Sequence, residues 1–212
     1  MQPEDVHSPI DLKNAADALQ WANEVNVKRP WRYKIFDYYA EEILKHAPEG
    51  HILELGAGPG YLAEHLIRQC PDIQYTAFDF SDAMHALAKH KLIPSELERC
   101  RFITGDFKQP QWEEALQSQS SYKPFDVIII HQALHELRHK RHAPLFHQAV
   151  KKMMNPDGRY LVCDHLYAPD AMQNNELYMS VAEHVKAFQD AKFKNCTISL
   201  EIKGLCVFKC ND

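Results

Sequence analysis

The sequence lacks the features that mark several classes of protein. No apolar run approaches the roughly 18 residues that a membrane span requires. The formal net charge is -5, so no general positive charge favours binding to nucleic acid. The first ten residues are acidic and interrupted by prolines, and we expect neither a signal peptide nor a transit peptide there. None of the six cysteines forms a Cys-x-x-Cys pair, which predicts free thiols in a cytoplasmic protein.

The bulk composition is that of an ordinary globular domain. The chain has 212 residues, of which 45% are hydrophobic and 25% charged, enough for a full hydrophobic core. Residues 1–47 are predicted to form a helical extension or lid, and residues 48–212 a single globular domain. Within the extension, the stretch from Trp31 to Ala47 predicts an amphipathic helix. Its apolar face comprises Ile35, Phe36, Tyr39 and Ile43.

Short apolar runs alternate with helical patterns along the rest of the chain. The runs "HILEL", "IQYTAFD", "RFITG", "FDVIII" and "GRYLVCD" are each followed by a helical stretch. Such alternation predicts a parallel sheet flanked by helices. At the end, "CTISLEI" and "LCVFKC" are separated only by Lys203 and Gly204, which predicts a tight hairpin and one antiparallel strand. The fold class is therefore α/β.

The stretch "ILELGAGPGYL" places Gly56, Gly58 and Gly60 between a strand and a helix. Such a turn presents unpaired backbone N–H groups, and glycines allow a ligand to approach closely. The dinucleotide fingerprint G-x-G-x-x-G would require a third glycine at position 61, where the sequence has Tyr61. In addition, Glu54 lies two residues before the loop, where its carboxylate would repel a pyrophosphate. The loop therefore favours a ligand with a cationic group over a dinucleotide.

Two further acids follow the next strands. Asp79 ends the second strand, where a carboxylate can accept both hydroxyl protons of a ribose. The alternative role, an N-cap for the next helix, suits Ser81 better. Asp106 and Phe107 follow the third strand, where they could bind the amino edge and the face of an adenine. Taken alone, Asp106 would equally suit a turn.

Together these residues resemble the class I S-adenosylmethionine-dependent methyltransferases, over about Ile52 to Cys210. The resemblance is carried by "LELGAGPG", "FDFSDAM", "GDF", "FDVIIIHQALHEL" and "NPDGRYLV", in the order that the family shows. It implies a Rossmann-like three-layer αβα sandwich with a seven-stranded sheet, mostly parallel, whose last strand is antiparallel. It also implies S-adenosylmethionine as the cofactor, with S-adenosylhomocysteine as its product. The residues expected to bind it are Glu54, Gly56, Ala57, Gly58, Gly60, Asp79, Phe80, Asp106, Phe107 and His131.

The fourth strand ends in "HQALHELRHK", with His131, His135 and His139 spaced by four. Three interpretations are open. His131 or His135 could be a general base, since histidine titrates near neutrality. Histidines at this spacing on one helix face could bind a metal. His131 could instead merely contact the cofactor, while the others cap or pack a helix. The magnesium-dependent catechol-type members carry Asp where this sequence has His131, so no metal site is expected.

The expected function is methyl transfer to a small molecule, with oxygen or nitrogen as the accepting atom. Methylation of RNA or protein is an alternative, and a basic surface around Arg29, Lys34 and Arg138–Arg141 would support it. A non-catalytic module that binds the cofactor is a third. The Asn/Asp-Pro-Pro-aromatic motif of the family's amino-methylating nucleic-acid members is absent. We therefore expect no nucleic-acid or membrane partner, and the sequence indicates no oligomeric state.

Overall fold

A computed structural model describes residues 4–212 of the chain and contains one seven-stranded sheet. The strands are β1 (His51–Leu55), β2 (Gln74–Asp79), β3 (Cys100–Thr104), β4 (Phe125–His131), β5 (Met154–His165), β6 (Asn195–Ile202) and β7 (Leu205–Asn211). Their order across the sheet is β3-β2-β1-β4-β5-β7-β6. Only β7 runs antiparallel to its neighbours, β5 and β6, within this part of the chain. The predicted fold class and sheet are confirmed.

The helices cover both faces of this sheet. They are α1 (Ala15–Lys28), α2 (Arg32–His46), α3 (Tyr61–Gln69), α4 (Asp82–Lys91), α5 (Pro94–Leu97), α6 (Glu114–Gln117), α7 (Ala143–Lys152) and α8 (Val181–Asp190). Two short 3₁₀ helices, Leu134–Leu137 and Lys140–His142, lie between β4 and α7. One apolar layer includes residues of α2 and α3, and the other includes residues of α6, α7 and α8. This arrangement is the expected three-layer sandwich.

Local sequence signals explain where several elements begin and end. The predicted apolar face of α2 is fully buried. The Ser81 side chain accepts the backbone N–H of Met84 at 3.1 Å, so it is the N-cap of α4. Lys203 and Gly204 both adopt positive φ, 52° and 76°, which the two-residue hairpin between β6 and β7 requires. The predicted hairpin is thus confirmed.

The helical prediction after β4 was wrong in its details. No α-helix begins at His131; the chain forms the two 3₁₀ helices first, and α7 begins at Ala143. The reason is visible in the backbone, because Gln132 and Arg138 adopt positive φ, 54° and 63°, which no continuous α-helix accommodates. The helix predicted from about Asn174 likewise begins later, at Val181.

The N-terminal helices pack on the rest of the domain. Ile35, Phe36 and Tyr39 of α2 belong to the apolar layer that also contains Ile52 of β1. The division into a lid at 1–47 and a domain at 48–212 stays a prediction, and residues 1–3 lie outside the described part. No helix within residues 4–212 is both long and apolar enough to cross a membrane. All six cysteines are free, as expected.

Two histidines, His147 of α7 and His184 of α8, are buried and form no salt bridge with any residue from 4 to 212. His184 is 1% exposed, and neither ring nitrogen has a hydrogen-bond partner among the described residues. Its ring lies 4.7 Å from that of Phe208, and burial lowers its pKa to about 4. His147 is fully buried, and burial lowers its pKa well below the ordinary value. Both side chains are therefore neutral in the folded protein at pH 7.

We expect acid to destabilise the fold through these histidines. An unfolded histidine binds a proton near pH 6.5, whereas His184 resists protonation down to about pH 4. The free energy of unfolding is therefore highest above pH 6.5 and decreases as the pH falls. For one such histidine the decrease is about 2 kcal/mol at pH 5. Urea unfolding of His184→Leu should show a correspondingly smaller loss between pH 7 and pH 5. The exposed His90→Leu is the control, and equal pH slopes in wild type and His184→Leu would refute the assignment.

Candidate active site

A cleft opens at the carboxyl edge of the sheet, between the strand ends and the N-terminal helices. Its empty volume is about 1030 Å³, which includes the open mouth. Eight of the ten residues expected to bind the cofactor line it, and Gly60 and Asp106 do not. Those that line it are Glu54, Gly56, Ala57, Gly58, Asp79, Phe80, Phe107 and His131. His135 lines it as well.

The three glycines of the loop serve different purposes. Each has positive φ, between 55° and 78°. At Gly60 an added Cβ would lie 2.5 Å from Cβ of Ala88, so this glycine allows α3 and α4 to pack closely. At Gly56 it would lie 2.4 Å from Cβ of Ala133. At Gly58 no atom lies within 4 Å, so a side chain there would project into open space. Gly58 is therefore the glycine whose missing Cβ leaves room for a ligand.

Glu54 is a buried acid at the end of β1. Its side chain is 3% exposed, and Oε2 accepts the hydroxyl proton of Tyr75 at 2.6 Å. Burial raises the pKa of Glu54 to about 8, although the Tyr75 hydrogen bond and the charge of Arg32 oppose the rise. A cationic group beside this carboxyl would favour its ionised form. The arrangement fits the ammonium group of a methionine moiety.

Asp79 is held by backbone donors at the end of β2. Oδ2 accepts the N–H of Gly58 at 2.7 Å, and Oδ1 accepts the N–H of Ser81 at 2.9 Å. Burial raises the pKa of Asp79 in spite of these bonds. The carboxylate thus ties the glycine loop to the second strand while it lines the cleft. Its binding to ribose hydroxyls stays a prediction.

Of the three residues expected around the adenine, two line the cleft and one does not. Phe80 and Phe107 line the cleft, and the Phe107 ring packs edge-on against Phe146 at 5.3 Å. The carboxylate of Asp106 instead accepts the backbone N–H of Lys108 at 3.0 Å. Asp106 therefore closes a turn beside the cleft, as its sequence position allowed, and its binding to the adenine stays a prediction.

His131 is enclosed by aromatic residues of α2. Its Nδ1 lies 3.2 Å from the Tyr39 hydroxyl, and its ring lies edge-on to Phe36 at 5.1 Å. Its Nε2 has no hydrogen-bond partner in the described part of the chain. Burial, followed by the charge of Arg32, lowers the pKa of His131 well below its ordinary value. This ring is therefore neutral at pH 7 and a weak base.

His135 forms a tight pair with an acid on the neighbouring strand. Its Nδ1 lies 2.7 Å from Oδ1 of Asp164, and its backbone N–H donates to Oδ2 at 2.8 Å. Although burial acts in the opposite direction, the charge of Asp164 raises the pKa of His135. Burial alone would raise the pKa of Asp164, but the charge and hydrogen bond of His135 outweigh burial and lower this pKa to about 2. Asp164 thus orients the ring, with the proton of the neutral form on Nδ1 and Nε2 available as a base.

The histidine spacing does not produce a metal site. His131 ends a strand, His135 lies in a 3₁₀ helix, and His139 accepts the backbone N–H of Arg141 at 3.0 Å outside the cleft. Within residues 4–212, no three His, Cys, Asp or Glu side chains form a group that could hold a metal ion. The three histidines therefore do not share one helix face.

Sequence reasoning assigned no role to Asp164. The signal that could have found it is strand order, because β4 and β5 are neighbours and both end at the cleft. Other residues, such as Ile10 and Leu12, line the cleft from the N-terminal segment. Their sequence carries no signal for this position, since it depends on how the segment folds over the sheet.

Comparison with known proteins agrees with this geometry. The family model described as "Methyltransferase domain" matches residues 46–204, about three quarters of the chain. The chain belongs to this methyltransferase family. The resemblance stated from the sequence is thereby confirmed. Members of the family use S-adenosylmethionine, which confirms the expected cofactor.

Relatives of this methyltransferase domain differ in what their names say they act on. The chain is 29% identical to acetylserotonin O-methyltransferase of Gallus gallus over 58% of its own length and 32% of the relative's. It is 25% identical to ribosomal RNA large subunit methyltransferase G of Serratia proteamaculans, over 95% of its own length and 49% of the relative's. The chain thus spans about a third and about half of these curated relatives.

A solved structure supports the fold. The complex of DhpI with S-adenosylhomocysteine superposes with a TM-score of 0.66 over 94% of this chain and 95% of that one. The two sequences are 18% identical, so the likeness shows the shared fold.

We expect cofactor binding to strengthen with pH through Glu54. A ligand carrying an ammonium group binds best to the carboxylate, and the pKa of Glu54 without ligand is about 8. Affinity for S-adenosylhomocysteine should therefore rise as the pH increases from 6 to 8 and level off above. Calorimetry in buffers of different ionisation enthalpy would measure the proton released.

Two variants check this prediction. Glu54→Gln should bind more weakly and lose the pH dependence. Tyr75→Phe removes a hydrogen bond that lowers the pKa of Glu54, so its pH dependence should shift to higher pH. If Glu54→Gln keeps the wild-type pH dependence, Glu54 does not face the cation.

Proposed function

We propose that this domain transfers a methyl group from S-adenosylmethionine to an oxygen or nitrogen atom of a small molecule, with His135 as the general base. The observation that carries the proposal is the His135–Asp164 pair on the wall of the cleft, with Nδ1 and Oδ1 2.7 Å apart. The sulfonium of the cofactor supplies an activated methyl carbon. The protein has then to align the acceptor and, where the acceptor carries a proton, remove it.

The pair is suited to a hydroxyl or a protonated nitrogen acceptor. The proton leaves the acceptor for Nε2 of His135, and the resulting imidazolium is stabilised by Asp164 through Nδ1. His131 is less suited, because its pKa is lowered and its ring is enclosed by Phe36 and Tyr39. It is better suited to contact the methyl donor. The O-methyltransferase relative supports an oxygen acceptor.

Exclusion of water from the cleft supports the same chemistry. Trp21 and Val25 of α1 and Leu12 of the preceding segment line the cleft opposite the strand ends. The hydroxyl of Ser81 donates to the Leu12 carbonyl, which fastens this segment to the start of α4. An apolar cover strengthens electrostatic interactions within the site and excludes water from the reaction.

The charges at residues 138–141 do not favour RNA as the acceptor, despite the ribosomal RNA relative. Arg138 donates to the carbonyls of Val6 and His7. Lys140 contacts Glu183, and Arg141 contacts Asp5. These cations therefore fasten the N-terminal segment and α8 to the domain rather than forming an open basic surface.

We expect His135→Ala to lower kcat by about 10² to 10⁴ on an acceptor that must lose a proton. A labelled cofactor and a metabolite extract identify that acceptor. Binding of S-adenosylhomocysteine should stay within about twofold, because the base acts on the acceptor. His90→Ala, which alters an exposed histidine of α4, is the control for loss of an imidazole.

The pH profile tests the pair more sharply. Because Asp164 raises the pKa of His135, the wild-type rate should increase with pH through a value above 6.5. Asp164→Asn removes that effect, so its acid limb should move to lower pH while its maximal rate falls. A profile that neither His135→Ala nor Asp164→Asn alters would rule out the base, provided that circular dichroism shows both variants folded.

A further inference from the structure

Two arginines at the junction of α1 and α2 line the cleft without forming a salt bridge to any described residue. Arg29 and Arg32 both border it, and neither forms a salt bridge with any residue from 4 to 212. Arg32 is only 6% exposed, and its Nε has no hydrogen-bond partner there. Its other contacts are one long hydrogen bond to Asn26, at 3.4 Å, and the face of Phe36, 5.2 Å from the ring centre. These contacts leave most of the guanidinium's hydrogen-bonding capacity unused.

The carboxyl groups at this end of the cleft are engaged elsewhere. Asp164 accepts from the His135 side chain and from the backbone N–H groups of His135 and His165. Glu136 contacts Arg138 at 3.3 Å and His135 at 3.6 Å. Glu54 accepts from Tyr75, and its pKa of about 8 leaves it largely protonated at neutral pH without ligand. The two guanidiniums therefore give this part of the cleft an excess of positive charge.

This excess has a physical consequence. An arginine cannot release its proton to relieve burial, so a buried guanidinium is costly unless an anion is supplied. Its planar set of donors matches the two oxygens of a carboxylate or a phosphate. The whole chain carries a net charge of -5, so a positive cleft is a local feature. It favours an anionic ligand over a neutral one at this position.

The position of Arg29 favours the acceptor over the cofactor as the source of the anion. Arg29 borders the cleft, and its positive charge acts on the side chains of His165 and Tyr178, which also line it. The ring of Tyr178 lies 5.4 Å from that of His135. His165 cannot take the anion's charge, because burial lowers its pKa to about 4. The ribose and adenine positions, at Asp79 and Phe80, belong to other strand ends.

We propose that Arg29 and Arg32 form a binding site for an acid group of the methyl acceptor, a carboxylate or a phosphate-type anion. The proposal rests on the proposed function and names the substrate class for it. The acid group fixes the acceptor in the cleft, so that the group to be methylated lies beside His135.

The carboxylate of the cofactor's methionine moiety is the competing source of an anion. A first experiment separates the two sources by calorimetry with S-adenosylhomocysteine and with 5′-methylthioadenosine, which lacks the amino-acid carboxylate. Arg29→Gln should leave the ratio of the two affinities unchanged within about twofold. If Arg29→Gln weakens S-adenosylhomocysteine about tenfold and methylthioadenosine not at all, the anion is the cofactor's, and the assignment to the acceptor is overturned.

A second experiment tests the acid group directly. Protein saturated with S-adenosylhomocysteine is titrated with benzoate, phenyl phosphate and the neutral benzamide. At least one acid should bind, and benzamide should bind at least about tenfold more weakly. Arg29→Gln should weaken the acid at least tenfold, while Arg29→Lys should retain part of the affinity. Lys34→Gln, which removes an exposed charge from α2, should change nothing. Equal binding of benzamide, no binding of either acid, or an unaltered Arg29→Gln overturns the site.

A third experiment separates failure of this site from failure of methyl transfer. A metabolite extract is divided by anion exchange, and each fraction is incubated with labelled cofactor. Labelling in the acidic fraction that falls at least tenfold in Arg29→Gln supports the site. Labelling in the neutral fraction that Arg29→Gln leaves intact overturns the site but leaves methyl transfer standing. Binding of the acid probe through Arg29, with no fraction labelled, supports an anion site and overturns the proposed transfer.

Discussion

The parallel pairing of β1, β4 and β5 is the constraint on which the site depends. In register, Glu54 pairs with Ile129, and His131 pairs with Cys163. Strand ends that come from distant parts of the sequence thus meet at one edge of the sheet. Glu54, His131 and Asp164 are brought to one edge of the sheet by the backbone hydrogen bonds between these strands. A change that shifted β4 by one residue would reverse which of its side chains face each layer and would dismantle the site.

Much of this arrangement follows from local patterns. The glycine loop, the capped start of α4 and the hairpin at Lys203 each depend on residues close in sequence, and all three were predicted. The edge of the sheet at which the cofactor is expected was also predictable, because the carboxyl ends of parallel strands meet at one edge. Gly60 shows the limit of this reasoning. Its positive φ suits the loop, but its missing Cβ serves contact with Ala88 of α4, which is 28 residues away and has no local signature.

The acceptor end was harder to predict because it depends on tertiary contacts. The four-residue spacing of histidines indicated one helix face, yet the positive φ of Gln132 turns the chain so that His131 and His135 point to different partners. Asp106 illustrates the same problem at the other end, since a carboxylate after a strand can bind a ligand or close its own turn. In this structure its carboxylate accepts the backbone N–H of Lys108, which closes the turn, and its ligand role stays a prediction.

The distribution of charge along the cleft links the site's two ends. Glu54 and Asp79 place carboxyl groups where a cationic methyl donor with ribose hydroxyls would be held, whereas Arg29 and Arg32 place positive charge at the junction of α1 and α2. Between them lie the neutral ring of His131 and the His135–Asp164 pair, which carries one negative charge while His135 is the neutral base. A cation bound at Glu54 favours the ionised carboxyl, so these two charges balance and the positive charge of Arg29 and Arg32 remains. The charge of Arg29 acts on His165 and Tyr178, and in our proposal it binds the acid group of a second ligand. The electrostatics therefore favour binding of an acidic acceptor beside an already bound cofactor, with the base facing the junction of the two.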